Sequence, residues 1–270
     1  NGWITHGCSQ GMPADQRSSM ATDYLNVPLC IDLALHNGIA SKTGKEIGLK
    51  TGDPRHFKTF DEFYDAFKKQ VEYVFSRQMW YDRLVDQVKP KYYQQPLVSM
   101  LLPGCLEKGK DFAQGGLSHY RITLRKDRGI IPAADSLTAV KKLIYEDSNK
   151  LTMDGLLEAL DSNFAGDSGE QIRQMCFSVA KYGNDIDEAD FMVRDVAKFT
   201  GSVIQSQKNI WGFPYAVNRN GQAWHFFAGK RLAALPNGRK AGEPLPDGSL
   251  SPMQGLDSGG TTSFLCSALK

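Results

Sequence analysis

The stretch Leu235-Pro-Asn-Gly-Arg-Lys-Ala-Gly-Glu-Pro-Leu-Pro-Asp-Gly-Ser-Leu-Ser-Pro-Met-Gln-Gly255 decides how the rest of the chain is read. It holds four glycines, four prolines and four charged residues. A core helix or strand would not carry so many breakers and charges, and a flexible linker would be Gly/Ser-rich or repetitive. Spaced glycines among prolines describe an ordered loop in which each glycine lets the backbone approach something closely. On this stretch alone, an ordinary solvent-exposed loop is the alternative.

Composition narrows the class. The chain has 270 residues, 41% hydrophobic and 23% charged, enough for one large domain or two small ones. A net charge of +2 without a basic run argues against a nucleic-acid partner. No apolar stretch approaches the roughly 18 residues that a membrane span needs. Five scattered cysteines, Cys8, Cys30, Cys105, Cys176 and Cys266, form no C-x-x-C pair. They predict neither structural zinc nor a disulfide framework, and they fit a reducing, cytoplasmic setting.

Upstream of the loop, helical and strand signals alternate. Residues 28–36 predict a short buried helix ending at Asn37-Gly38. Thr59 with Glu62 forms a capping box, and Phe60, Phe63, Tyr64, Phe67, Val71, Val74 and Phe75 then recur at helical spacing to about Val88. Further helices are predicted at about 95–107, 136–147, 153–161 behind Thr152, 171–180 and 187–207. Residues 130–135 read as a strand or loop. Residues 215–218, 224–227 and 262–266 read as strands. The pattern is α/β.

Cys8 lies in Gly7-Cys8-Ser9-Gln10, flanked by Gly7 and Gly11, where a sulfur has little steric cover. A small buried hydrophobe is the bland reading. His6 would share a face with Cys8 if the segment is extended, as a Cys–His nucleophile pair requires, but no third group orients the imidazole. The chain has no HExxH, GxSxG, P-loop or GxGxxG motif.

Taken together, these segments resemble the glycyl radical enzymes, the pyruvate formate-lyase superfamily. Gly7-Cys8 matches the cysteine loop of that family. Leu33-Ala-Leu-His-Asn-Gly38, Lys50-Thr-Gly-Asp-Pro54 and Phe57-Lys-Thr-Phe60 look like its next segments. Cys105-Leu-Glu-Lys-Gly-Lys-Asp111 with Gly115-Gly116 and Tyr120, then Ala134–Leu143, Lys181-Tyr-Gly-Asn-Asp185 and the 235–255 loop, follow in family order. The resemblance implies an α/β fold that is part of a ten-stranded barrel. Residues 1–270 would supply its second half-barrel and cysteine finger loop, without the N-terminal half or the C-terminal glycine domain. It implies Cys8 as the thiyl radical that takes hydrogen from a small carboxylate substrate. The oxidant would be a protein-based glycyl radical, with no bound cofactor or metal. A radical S-adenosylmethionine activating enzyme would install it in a homodimeric full-length protein. The family's R-V-x-G-Y glycine motif is absent from residues 1–270, so this piece alone is expected not to turn over.

One departure bears on the reaction. Many relatives that eliminate water or an amine carry Cys-x-Glu, with the carboxylate as general base. Here the residue is Gln10, and an amide cannot take that proton. This puts dehydratase and choline-lyase chemistry in doubt. Gly7, in place of a second cysteine, argues against pyruvate formate-lyase acyl transfer. A radical lyase or decarboxylase is the leading expectation. Hydrocarbon addition to fumarate, or an inactive truncated paralogue, remains as the alternative. Arg17 could clamp a substrate carboxylate or be a surface arginine. His36 could hydrogen-bond the substrate or cap its helix C-terminus. Arg239 and Lys240 would support the radical site or face solvent.

Overall fold

The computed structural model describes residues 3–6, 10–13, 20–118, 123–147, 151–217, 219, 224–247 and 250–270, with backbone alone at 3–6, 10–13, 20–24 and 123–126. In chain order the elements begin with strands β1 (Trp3–His6), β2 (Gln10–Pro13) and β3 (Met20–Asn26), helix α1 (Val27–Leu35), and strands β4 (Ile39–Ala40) and β5 (Lys45–Glu46). Helices α2 (Phe60–Tyr92), α3 (Pro96–Met100) and α4 (Cys105–Lys108), strand β6 (Thr123–Arg128), α5 (Ile130–Val140) and a π-helical turn at Lys141–Glu146 follow. The remainder is α6 (Met153–Asp161), α7 (Gly166–Ser178), α8 (Asp187–Gln205), β7 (Tyr215–Val217), α9 (Trp224–Lys230) and α10 (Gly260–Leu269).

Two compact units result. The first comprises Asn1–Leu25, Phe75–Lys126 and Gly201–Asn220. It carries the antiparallel β1–β2 hairpin, with Trp3 opposite Pro13 and His6 opposite Gln10, and a sheet of order β3-β6-β7 in which β6 and β7 run parallel. Parallel neighbours joined through helices are the unit from which α/β barrels are built. The second unit comprises Asn26–Val74, Asp127–Thr200 and Gly221–Lys270, and it is helical apart from the small β4–β5 hairpin.

Local chemistry explains most boundaries. Pro28 sits in the first turn of α1, where its missing N–H costs nothing. The Thr59 hydroxyl accepts the Glu62 N–H at 3.3 Å, and the Glu62 carboxylate accepts the Lys58 N–H at 2.6 Å. Phe63, Phe67, Val71, Phe75 and Met79 of α2 are then buried at helical spacing. Gln70, on the same helix, bonds both ways to the Leu49 backbone, at 2.9 and 2.6 Å. It thereby ties down the glycine-punctuated loop before the helix. The Thr152 hydroxyl caps α6 by accepting the Gly155 N–H at 3.1 Å.

Several expected elements differ. Residues 130–135, read as strand or loop, begin α5. Every residue of α5 is buried, so no polar face marks its period, and Pro132 lies in the first turn, where it is tolerated. The helix expected at 95–107 is two short ones, parted at Pro103-Gly104, where Gly104 has φ +91°. Residues 224–227 and 262–266, read as strands, lie in α9 and α10. Short aromatic or β-branched runs do not separate strand from helix, and tertiary packing settles the matter. Gly229 of α9 lies so close to the Glu243 carbonyl that any Cβ would collide with it. In α10, Phe264 packs edge-on against Tyr182 at 6.5 Å, while the buried Ser267 hydroxyl, three residues on, accepts the Asp185 N–H at 2.9 Å.

Candidate functional site

The β1–β2 register pairs His6 with Gln10, which leaves residues 7–9 as the connection between two antiparallel strands. Cys8 is the middle residue of that connection by sequence. Cys8 and Arg17 lie outside the described residues, and Gln10 is described in its backbone alone. The expected chemistry of this loop therefore rests on the hairpin that carries it. Two other cysteines are held as thiols: burial pushes Cys176 up to about 12 and raises Cys30 strongly.

His36 is placed in detail. It is the C-cap residue of α1. Its Nδ1 lies 2.9 Å from the Asp32 carbonyl oxygen and 3.0 Å from the Asp32 carboxylate, and its Nε2 lies 3.1 Å from Asp161. Burial works against its protonation, but the hydrogen bond and charge of Asp32, helped by Asp161, outweigh it and raise the imidazole to about 9. His36 is thus an imidazolium on a helix C-terminus with both nitrogens engaged. It borders a cleft of about 460 Å³ that also presents Asp53, Asp154, Glu158, Asp161 and Arg55. Four carboxylates against two cations give that cleft the wrong sign for a carboxylate ligand. Asp32, which the sequence reading missed, is the organiser. It is buried and also accepts the Ser41 N–H and hydroxyl at 3.1 and 2.6 Å. The i, i+4 spacing of Asp32 and His36 was the available signal.

Residues 235–247 of the loop are ordered around Arg239, which is 2% exposed. Its guanidinium donates to the carbonyls of Ala233 at 2.8 Å, Gly229 at 2.7 Å and Glu243. Burial lowers it to about 10, still charged at neutral pH. The buried Asn237 accepts the Arg239 N–H at 3.1 Å, and Gly238, at φ +93°, turns beneath the Phe177 ring. Lys240, by contrast, is on the surface, 3.8 Å from Glu170.

The Lys181–Asp185 block is a junction. The buried Lys181 ammonium donates to the carbonyls of Cys176 and Val179 at 2.6 and 2.8 Å. The Tyr182 N–H donates to Asp135 at 3.1 Å. The Asn184 amide donates to Leu256 at 2.7 Å and its oxygen accepts the Gly259 N–H at 2.9 Å. Burial raises Asp135 to about 7 against the opposing charge of Lys181. In the first unit, Asp111 accepts from Gln95, Ser99 and Ala113 at 2.7–2.9 Å. Among the described residues, no group of three or more His, Cys, Asp or Glu could hold a metal ion, and no helix is long and apolar enough to cross a membrane.

The pyruvate formate lyase-like family model matches residues 1–220. The chain therefore belongs to that family, the glycyl radical enzymes, and its fold is that of part of their α/β barrel. It is 34% identical, over 98% of its length, to trans-4-hydroxy-L-proline dehydratase of Clostridioides difficile, covering 33% of that protein. It is 33% identical, over 98%, to isethionate sulfite-lyase of Bilophila wadsworthia, covering 32%. The crystal structure of the Clostridioides difficile hydroxyproline dehydratase with trans-4-hydroxy-L-proline bound superposes with a TM-score of 0.90 at 33% identity, over 98% of this chain and 33% of that one. The chain thus spans about a third of the length of these relatives.

Proposed function

We propose that the protein to which residues 1–270 belong is a glycyl radical lyase, in which Cys8 takes a hydrogen atom from a small anionic substrate and the resulting radical expels a group from the neighbouring carbon. The carrying observation is the match, from end to end of this chain, to a dehydratase and a sulfite-lyase. Both names denote elimination, which favours the lyase half of the leading expectation, a radical lyase or decarboxylase, over decarboxylation. A glycyl radical outside residues 1–270 would supply the oxidising equivalent. The hairpin fits such a role because it fixes both flanks of the Cys8 connection by main-chain hydrogen bonds, which suits positioning of a reactive sulfur. After hydrogen transfer, the substrate radical breaks its bond to the leaving group, and the product radical recovers the hydrogen atom from the Cys8 thiol. Gln10 can hydrogen-bond a substrate hydroxyl but cannot take its proton, so that proton would pass to the departing group, which favours leaving groups basic enough to go as their conjugate acid. Arg17 would hold the anionic end. His36, tied to two carboxylates, has no part in the proposal.

The test is electron paramagnetic resonance on the full-length protein, treated anaerobically with a radical S-adenosylmethionine activating enzyme, beside Cys8→Ala. A glycyl doublet in both proteins, with product formed only in the unsubstituted one, is expected. No doublet under conditions that activate a relative would instead support an inactive paralogue.

A further inference from the structure

The second half of α2 has an inverted distribution of side chains. Asp82 and Asp86 are buried alongside Phe75 and Met79, while Trp80, Leu84 and Val88 lie in solvent. Positions 80, 84 and 88 follow one another at i+4 spacing, and Tyr81 and Tyr92 flank them. At 100° per residue these five occupy an arc of about 120° opposite the buried face. The apolar exposure continues past the helix through Tyr93, Leu97, Met100, Leu101 and Leu106. The four aromatic side chains alone, at 52–72% exposure, leave roughly 500 Å² to water. A patch of that size is at the upper end of what a monomer exposes, and such a patch often marks an interaction site.

The length of the relatives points to an occupant for this face. The chain aligns over 98% of its own length but accounts for only 33% of the hydroxyproline dehydratase. A glycyl radical enzyme polypeptide therefore has about twice this much chain again outside the matched region. We propose that the face running from Trp80 to Leu106 is the seat on which polypeptide of the same enzyme, lying outside residues 1–270, packs. The proposal rests on family membership and not on the thiyl chemistry, so loss of the glycyl doublet and failure of this contact are separate results.

Hydroxyl-radical footprinting read by mass spectrometry tests it, comparing residues 1–270 with the full-length chain. Labelling of Trp80, Tyr92 and Met100 should fall at least fivefold in the longer chain, while the exposed Ile47, in the other unit, serves as internal control. The double variant Trp80→Lys/Leu84→Lys should leave the melting temperature of residues 1–270 within about 2 °C, because both side chains already face water there. In the full-length chain the same variant should lower the melting temperature or abolish soluble expression. Equal labelling in the two proteins overturns the proposal. So does protection that appears in residues 1–270 alone as concentration rises, which would make a second copy the occupant. A gene that encodes no further chain, with no protection on adding the missing part of a relative, overturns it as well.

Discussion

Replacing Arg239 tests whether the 235–255 loop is held as described. The guanidinium is buried, donates to three main-chain carbonyls and has no carboxylate within ion-pairing distance among the described contacts. A hydrogen bond from a charged donor contributes about 1.5–3 kcal/mol. Truncation also strands the carbonyls of Gly229, Ala233 and Glu243, at some further cost unless water enters. Arg239→Ala should therefore destabilise by about 4 kcal/mol, within the range seen when one side of a buried charged network is removed. Arg239→Lys keeps the charge, but one ammonium cannot reach three divergent acceptors, so a loss of about 2 kcal/mol is expected. Lys240→Ala, at the next position but on the surface, should stay within about 0.5 kcal/mol. Scanning calorimetry reads these differences. At about 2–4 °C per kcal/mol for a chain of this size, the alanine variant should melt roughly 8–16 °C lower. If Arg239→Ala and Lys240→Ala melt together, the loop is held by something other than the guanidinium and the reasoning fails.

Other expectations follow from the same contacts. His36 has a folded pKa of about 9, above its unfolded value of about 6.5. Its contribution is therefore complete below pH 6.5 and is lost as pH rises towards 9. Urea titrations at pH 6 and 9.5 should show that loss, worth at most about 3 kcal/mol, and His36→Gln should flatten it. Asp135 is also raised, to about 7 from 3.8, by burial. It disfavours the folded state increasingly as pH climbs from about 4 to 7, and Asp135→Asn, which can still accept the Tyr182 N–H, should remove that slope. Gly238→Ala should cost at least about 2 kcal/mol in the same unfolding assay. It combines φ +93° with a Cβ 2.6 Å from the Phe177 ring; a neutral result would mean that the turn relaxes freely.

The family and the long amphipathic helix were legible because each depends on local order. Glu62 stands three residues after Thr59, apolar positions recur every three or four residues through Phe75, and the motif blocks keep their sequence. The short elements were not legible, because burial on all sides hides the period of α5, and aromatic runs such as Trp224–Phe227 suit either backbone. At the candidate site, the strands flanking Cys8 were not legible: Gly2, Gly7, Gly11 and Pro13 make residues 1–20 read as a loop, whereas Trp3–His6 pairs with Gln10–Pro13. Asp32 was signalled by its i, i+4 spacing to His36, but its bonds to Ser41 arise only when folding brings that loop to the same carboxylate.

Several of the described blocks that carry the resemblance serve as scaffolding, and one physical problem accounts for them. Glycine- and proline-rich loops cannot pair their own carbonyls in a helix or sheet, yet a buried carbonyl without a donor is costly. This chain meets the need with cations aimed at backbone. Arg239 gathers Gly229, Ala233 and Glu243. Lys181 gathers Cys176 and Val179. Lys42 reaches Lys230 and Leu232, and Lys108 reaches Leu117 at 2.6 Å. Arg239, Lys42 and Lys108 fasten irregular segments that carry glycine, and Lys181 closes the C-terminal end of α7. Arg239, Lys181 and Lys108 are therefore engaged by backbone before any substrate arrives. A small anion would have to be collected by other groups, and the proposed anchor is Arg17, nine residues beyond Cys8 in the chain.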